Sequence, residues 1–212
     1  MNTFFLRKSL LLIALFTFIS TSVSADIFLD RGSFEAANPT GLTTLDFEGI
    51  APDGDFISPT PQPWLPSVFF SDATGSATAI AIADSGVFFN TPTDALFLDE
   101  FNAEMFAMFG EDVTAVGFNV AIGFGGFGAT VDVFDSDGGL LATSSFDTAD
   151  ETELSTFIGF SGLGEIASLV VTPETGGFVL IDNFSYGNAV PEPTSTLLLA
   201  CGSMLALVRR RR

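Results

Sequence analysis

A chain of 212 residues with a formal net charge of −19 and no histidine is closed to several function classes. Ser-His-Asp and Cys-His catalysis, histidine-held zinc and histidine-ligated haem all need a side chain that it lacks. Its acidity opposes nucleic acid, whose phosphates are bound by Lys and Arg, and its length suits one domain with its own core.

The first 25 residues place Arg7 and Lys8 before an apolar run over residues 10–19. Small residues follow, with Val23 and Ala25 at the −3 and −1 positions of a cut. That order predicts a secretory signal peptide over 1–25, cleaved after Ala25.

Residues 26–189 then form the ectodomain. The one cysteine, Cys201, lies beyond it, so no disulfide can hold it and a hydrophobic core must. Six of the seven basic residues lie in the two ends, leaving Arg31 alone. Of 26 acidic residues only Glu192 lies outside, leaving 25, so the ectodomain carries a net charge of −24. Such a surface repels nucleic acid and anionic lipid, and it favours divalent cations, cationic partners or a screening medium.

Alternation of apolar and polar residues predicts strands over 42–48, 113–120, 129–135, 140–146, 156–160, 166–171 and 177–186. Turn chemistry separates them at 123–128, 136–139, 147–153 and 173–176. Residues 103–109 have helix-like spacing, but their length and the following Gly110 favour a strand. Residues 53–66, with Pro59, Pro61, Pro63 and Pro66, read as a long ordered loop. The pattern predicts an all-β, antiparallel sandwich whose 25 phenylalanines suit the inner faces.

Several motifs dissolve on inspection. Gly123, Gly125 and Gly128 satisfy G-x-G-x-x-G, but a strand pattern follows where a dinucleotide site needs a helix. Asp135, Asp137 and Gly138 begin like a calcium loop. Phe146 then stands at its twelfth position, where an EF-hand needs a carboxylate. Asn183-Phe184-Ser185 is a formal glycosylation sequon read here as chance. Asp182 is different. Period two puts it on one face with Phe178, Leu180, Phe184 and Tyr186, which predicts a buried carboxylate. Such a group needs backbone N–H groups, hydroxyls or a metal as partner.

The chain ends on Pro191-Glu192-Pro193, an apolar stretch over 194–208, and Arg209, Arg210, Arg211 and Arg212. Fifteen residues of helix span roughly 22 Å, against a bilayer core of about 30 Å, so this is a short span. The four arginines would stay cytoplasmic, placing the ectodomain outside. The bland reading is a plain anchor.

Tripeptide, apolar helix and arginine cluster in that order resemble the PEP-CTERM sorting signal of Gram-negative bacteria, over residues 190–212. The resemblance implies an exosortase-type membrane protease that cuts near the tripeptide. The precursor would be held transiently in the inner membrane, then released to the cell surface or the extracellular polysaccharide matrix. The strand succession over residues 43–186 also resembles the jelly-roll-like ectodomain common in that family. Related carbohydrate-binding sandwiches often hold a structural calcium where first and last strands meet. That implies Asp46, Glu48 and Asp182 as candidate ligands to Ca2+, and glycan binding by fold-level analogy. The leading expectation is a non-enzymatic surface or matrix protein. The alternative is a carboxylate-dependent glycan hydrolase, which needs two acids about 5–10 Å apart.

Overall fold

A computed structural model describes residues 26–50, 62, 64, 66–72, 80–83 (backbone alone), 93–98, 101–123, 128–148, 154–174 and 176–188. The signal segment with Ala25, the sorting tripeptide, the apolar stretch and the terminal arginines lie outside the described residues, as does most of the 53–66 loop. Among the described residues, ten strands and one short helix run in the order β1 (Asp26–Phe28), α1 (Arg31–Ala37), β2 (Leu42–Leu45), β3 (Val68–Asp72), β4 (Ile80–Ala83) and β5 (Ala95–Leu98). They continue as β6 (Met105–Gly123), β7 (Gly128–Phe134), β8 (Leu140–Asp147), β9 (Thr156–Pro173) and β10 (Phe178–Gly187). All the pairings are antiparallel.

Two strands build both layers. The alternating segments before and after residue 110 join into the single strand β6, and those at 156–160 and 166–171 join into β9. Their mutual register breaks between Met108 and Val113 and again before Ala115. Gly162 and Gly164 adopt positive φ of 70° and 95° at the matching place in β9, a region open to glycine without strain. At this bend the sheet folds over on itself. One layer is β2 and β5 beside β10, then β6, β9 and β1; the other is β3, β6, β9, β7 and β8.

The core lies between the layers. Val116, Phe118, Val120 and Ile122 of β6 alternate into it, as do Ile158 and Phe160 of β9 and Val131 and Val133 of β7. Phe184 sits at its centre. Its ring lies 5.1 Å from Phe70 of the opposite layer and 5.5 Å from Phe118, centroid to centroid. Each fully buried ring of this kind contributes about 1.5–3 kcal/mol through burial, which lets a domain without disulfides stand on its core.

The face prediction for β10 is corrected. Asn183 has φ 49°, and the pairing with β6 slips between Asp182 and Ser185. That bulge inverts the alternation. Val179 and Ile181 before it, and Phe184 and Tyr186 after it, all face the main core. Leu180 and Phe178 face the outer side with Ala95, Phe97 and Ala121, and Asp182 falls on their side. Asp182 therefore does not share a face with Phe184 and Tyr186.

Candidate functional site

The outer side of the first layer is where this chain gathers its polar chemistry, and α1 covers part of it. Asp30 opens the helix, accepting from the Ser33 N–H at 2.7 Å. Ser33 holds the Asp30 carboxyl below its ordinary value, through its side chain first and its backbone N–H second. Capping fixes where Phe34 and Arg31 point. Phe34 lies over Gly117 and Gly159, which face each other across β6 and β9. A Cβ on Gly117 would come within 2.7 Å of the Phe157 ring and 3.1 Å of the Phe34 ring. The paired glycines are the recess into which the helix seats its one buried ring.

Arg31 reaches from the same helix to the β10 bulge. Its Nη2 donates to the Asn183 carbonyl at 2.6 Å and to Asn119 Oδ1 at 2.7 Å, and its Nε donates to the same Oδ1 at 3.1 Å. Nη1 donates to Ser185 Oγ at 3.2 Å, and the guanidinium sits 4.8 Å from the Phe157 centroid. Ser185 in turn bonds Thr44 of β2 at 2.8 Å, and Asn119 Nδ2 donates to the Leu154 carbonyl at 2.6 Å. The planar fork suits this task, since five donors leave in fixed directions.

Asp182 holds the bulge from the other side. One carboxylate oxygen accepts the Asn183 N–H; the other accepts Asn183 Nδ2 at 2.8 Å and Thr93 Oγ1 at 2.9 Å. The residue is 2 % exposed. Burial pushes its carboxyl up to about 6, against the lowering effect of Thr93 and the Asn183 N–H; Glu48 raises it further and Arg31 lowers it.

Asp46 and Glu48 are exposed and belong to the loop after β2. Asp46 Oδ1 accepts the Glu48 N–H at 3.3 Å. Glu48 Oε1 accepts the Asp94 N–H at 3.1 Å, while Asp94 Oδ2 accepts the Gly49 N–H at 3.2 Å. This reciprocal pair ties the loop to the start of β5. Between these residues Phe47, at φ 59°, turns its ring into the core against Trp64 and Phe70. The fold thus brings Glu48 near enough to act on Asp182 by charge. Among the described residues no three of His, Cys, Asp and Glu gather where they could hold a metal ion.

Thr93, Asp94, Asn119 and Arg31 complete the cluster and were not singled out as site residues by sequence. One signal existed for Arg31: a lone guanidinium among 25 carboxylates is placed, not scattered. Chemically, the cluster can hold backbone and can hold a proton on Asp182.

The chain is distantly similar to solved sugar-binding sandwiches. The family 11 carbohydrate-binding module from Clostridium thermocellum, in complex with a mixed-linked tetrasaccharide, is 13% identical, with TM-score 0.34, over 72% of this chain and 99% of that one. CsCBM6-3 from Clostridium stercorarium, in complex with cellobiose, is 14% identical, with TM-score 0.30, over 57% and 93%. An exo-β-agarase is 11% identical, with TM-score 0.39, over 72% of this chain but only 26% of its own. No curated protein matches significantly. One further match falls outside the sandwich: residues 189–212 fit the PEP-CTERM protein-sorting motif, so the chain is the precursor of an exported protein that carries this sorting signal directly after its last strand.

Proposed function

We propose that residues 26–189 form a non-enzymatic surface or extracellular-matrix domain, released from an inner-membrane precursor by an exosortase-type protease that reads Pro191, Glu192 and Pro193. Signal cleavage after Ala25 begins the route. A cut near the tripeptide ends it, leaving the apolar stretch and Arg209 to Arg212 behind. The observation that carries the non-enzymatic reading is the use of Asp182 and Arg31. The buried carboxylate and the lone guanidinium both close on the same β10 bulge, so the carboxyl that burial raises among the described residues is spent on holding the chain's own groups. A catalytic acid must instead reach the bond it protonates.

Extracellular polysaccharide is the partner this reading assigns, with Asp46 serving as an acceptor within the β2 loop, Glu48 as one that ties the loop to Asp94 before β5, and Asp182 as one that ties Thr93 to β10. Intact mass of the released protein tests the route: the expected mass runs from residue 26 to a point near residue 190. A released form that keeps Arg212 reduces the tail to an ordinary anchor. Replacing Pro191 and Pro193 with Ala should leave the protein in the inner membrane. Pull-down on the organism's own polysaccharide, with and without EDTA, tests the partner. Release of reducing ends in the same incubation would favour the hydrolase instead.

A further inference from the structure

The register of the first layer puts both ends of the ectodomain in one place. Asp26 pairs with Ser161, Ser161 with Ala115, Ala115 with Gly187, and Gly187 with Leu42, a single row across five strands. Three strand spacings of about 4.8 Å set Asp26 and Gly187 roughly 14 Å apart. The row lies beside the fold-over of β6 and β9, where Glu111 and Glu165 are exposed. The opposite pole lies eight residues along β6, at Gly123, about 27 Å away at the rise of an antiparallel strand. Asp147 is exposed there at the end of β8, paired with Gly128, and Phe101 is 51 % exposed beside Gly176.

The link from this sheet to the sorting signal is short. Gly187 is the last paired residue among the described ones and the apolar stretch opens at Thr194, seven residues on, which is about 24 Å at full extension. β10 does not lengthen the link readily by fraying. Gly187 is paired on both sides, with Ala115 and with Leu42, and a Cβ on it would meet the Gly41 carbonyl oxygen at 2.0 Å.

We propose that the pole formed by the fold-over of β6 and β9 is the face turned toward the bilayer in the anchored precursor, and that the pole bearing Asp147 and Phe101 is the outward face. The inference rests on the tail entering the membrane, as the proposed function requires. Even fully extended, at about 24 Å, the tether falls short of the layer's height of about 27 Å, so the opposite pole cannot come down to the bilayer while the tail is anchored. The outward loops, rather than the fold-over, then meet whatever lies outside the cell before release.

The test uses the full-length precursor, with Cys201→Ser as background, in phosphatidylethanolamine–phosphatidylglycerol vesicles carrying a headgroup quencher. A fluorophore is attached at Glu111→Cys or Glu165→Cys in one set and at Asp147→Cys in another. Quenching should be several-fold stronger at the first two positions. A flexible Gly-Ser insert of about ten residues after Asn188 should shrink that difference by letting the domain tumble. Equal quenching at both poles, in precursor that floats with the vesicles, overturns the orientation. Precursor that fails to float overturns the membrane reading beneath it. Melting of each labelled variant shows that the fold has survived.

Discussion

Ionised Asp182 sits where its charge is disfavoured, yet its oxygens are what hold Asn183 in the left-handed conformation that makes the bulge. The folded carboxyl binds its proton more tightly than the unfolded one, at about 6 against an ordinary 3.8. The associated stability is therefore fully present below about pH 4 and is lost as pH rises through about 6. A shift of this size corresponds to about 1–3 kcal/mol. The ectodomain should melt at a higher temperature at pH 5 than at pH 7.5. Because Asp182→Asn cannot titrate, it should lose that part of the pH dependence while its amide oxygen still accepts the Asn183 N–H. Asp182→Ala should cost about 1–3 kcal/mol at pH 5 and less at pH 7.5, where the wild type has lost its protonation-linked stability, since it takes the acceptor from the part-buried Asn183 N–H. If wild type and Asp182→Asn share one pH profile of melting, Asp182 is not the titrating group. The carboxylate and its burial were legible from the apolar alternation around it. Its face was not, because one left-handed residue reverses every later assignment; the Asp182-Asn183 pair was the sole hint, Asn being among the residues that tolerate positive φ.

At the level of elements, alternation located most of the strands but not their joins. β6 and β9 read as two strands each because Gly110, Gly162 and Gly164 look like punctuation. In the fold they are places where one strand changes layer. β5 is short and uniformly apolar, and β3 is three apolar residues followed by Ser71 and Asp72, so neither carries a period to detect. The helix α1 was missed although Asp30 and Ser33 are a capping pair; seven residues give too little periodicity. What seats that helix is a property of two strands together, since Gly117 and Gly159 become neighbours only through β-pairing. Gly117→Ala should drive a methyl into the Phe157 and Phe34 rings and cost about 1–3 kcal/mol by overpacking. Shortening the ring in the double variant Gly117→Ala, Phe34→Leu should recover part of that loss, read as chemical denaturation midpoints. Strictly additive losses would show that the glycines do not form the helix seat.

Residues 26–189 carry a net charge of −24, and their lone guanidinium is engaged with the β10 bulge, so self-repulsion is a term that salt controls. Screening at physiological ionic strength acts beyond about 8 Å, which covers most pairs of carboxylates on such a surface. Melting temperature should therefore rise with NaCl. Calcium offers a sharper comparison, because a specific site and general screening predict different things. An ion bound only to the folded state at 100 times its dissociation constant adds about 2.7 kcal/mol. For a domain of this size that is roughly 5–11 °C of melting temperature. In the fold, Asp182 already accepts from Asn183 and Thr93, and Glu48 from the Asp94 backbone, and no three of His, Cys, Asp and Glu gather to hold a metal ion among the described residues, so the arrangement is closed by its own hydrogen bonds. Millimolar CaCl2 should accordingly raise melting no more than NaCl of matched ionic strength, and EDTA should leave it unchanged. An excess of several degrees, abolished together by Asp46→Ala, Glu48→Ala or Asp182→Asn, would instead establish a calcium site on these residues and make the hydrogen-bonded arrangement its empty form.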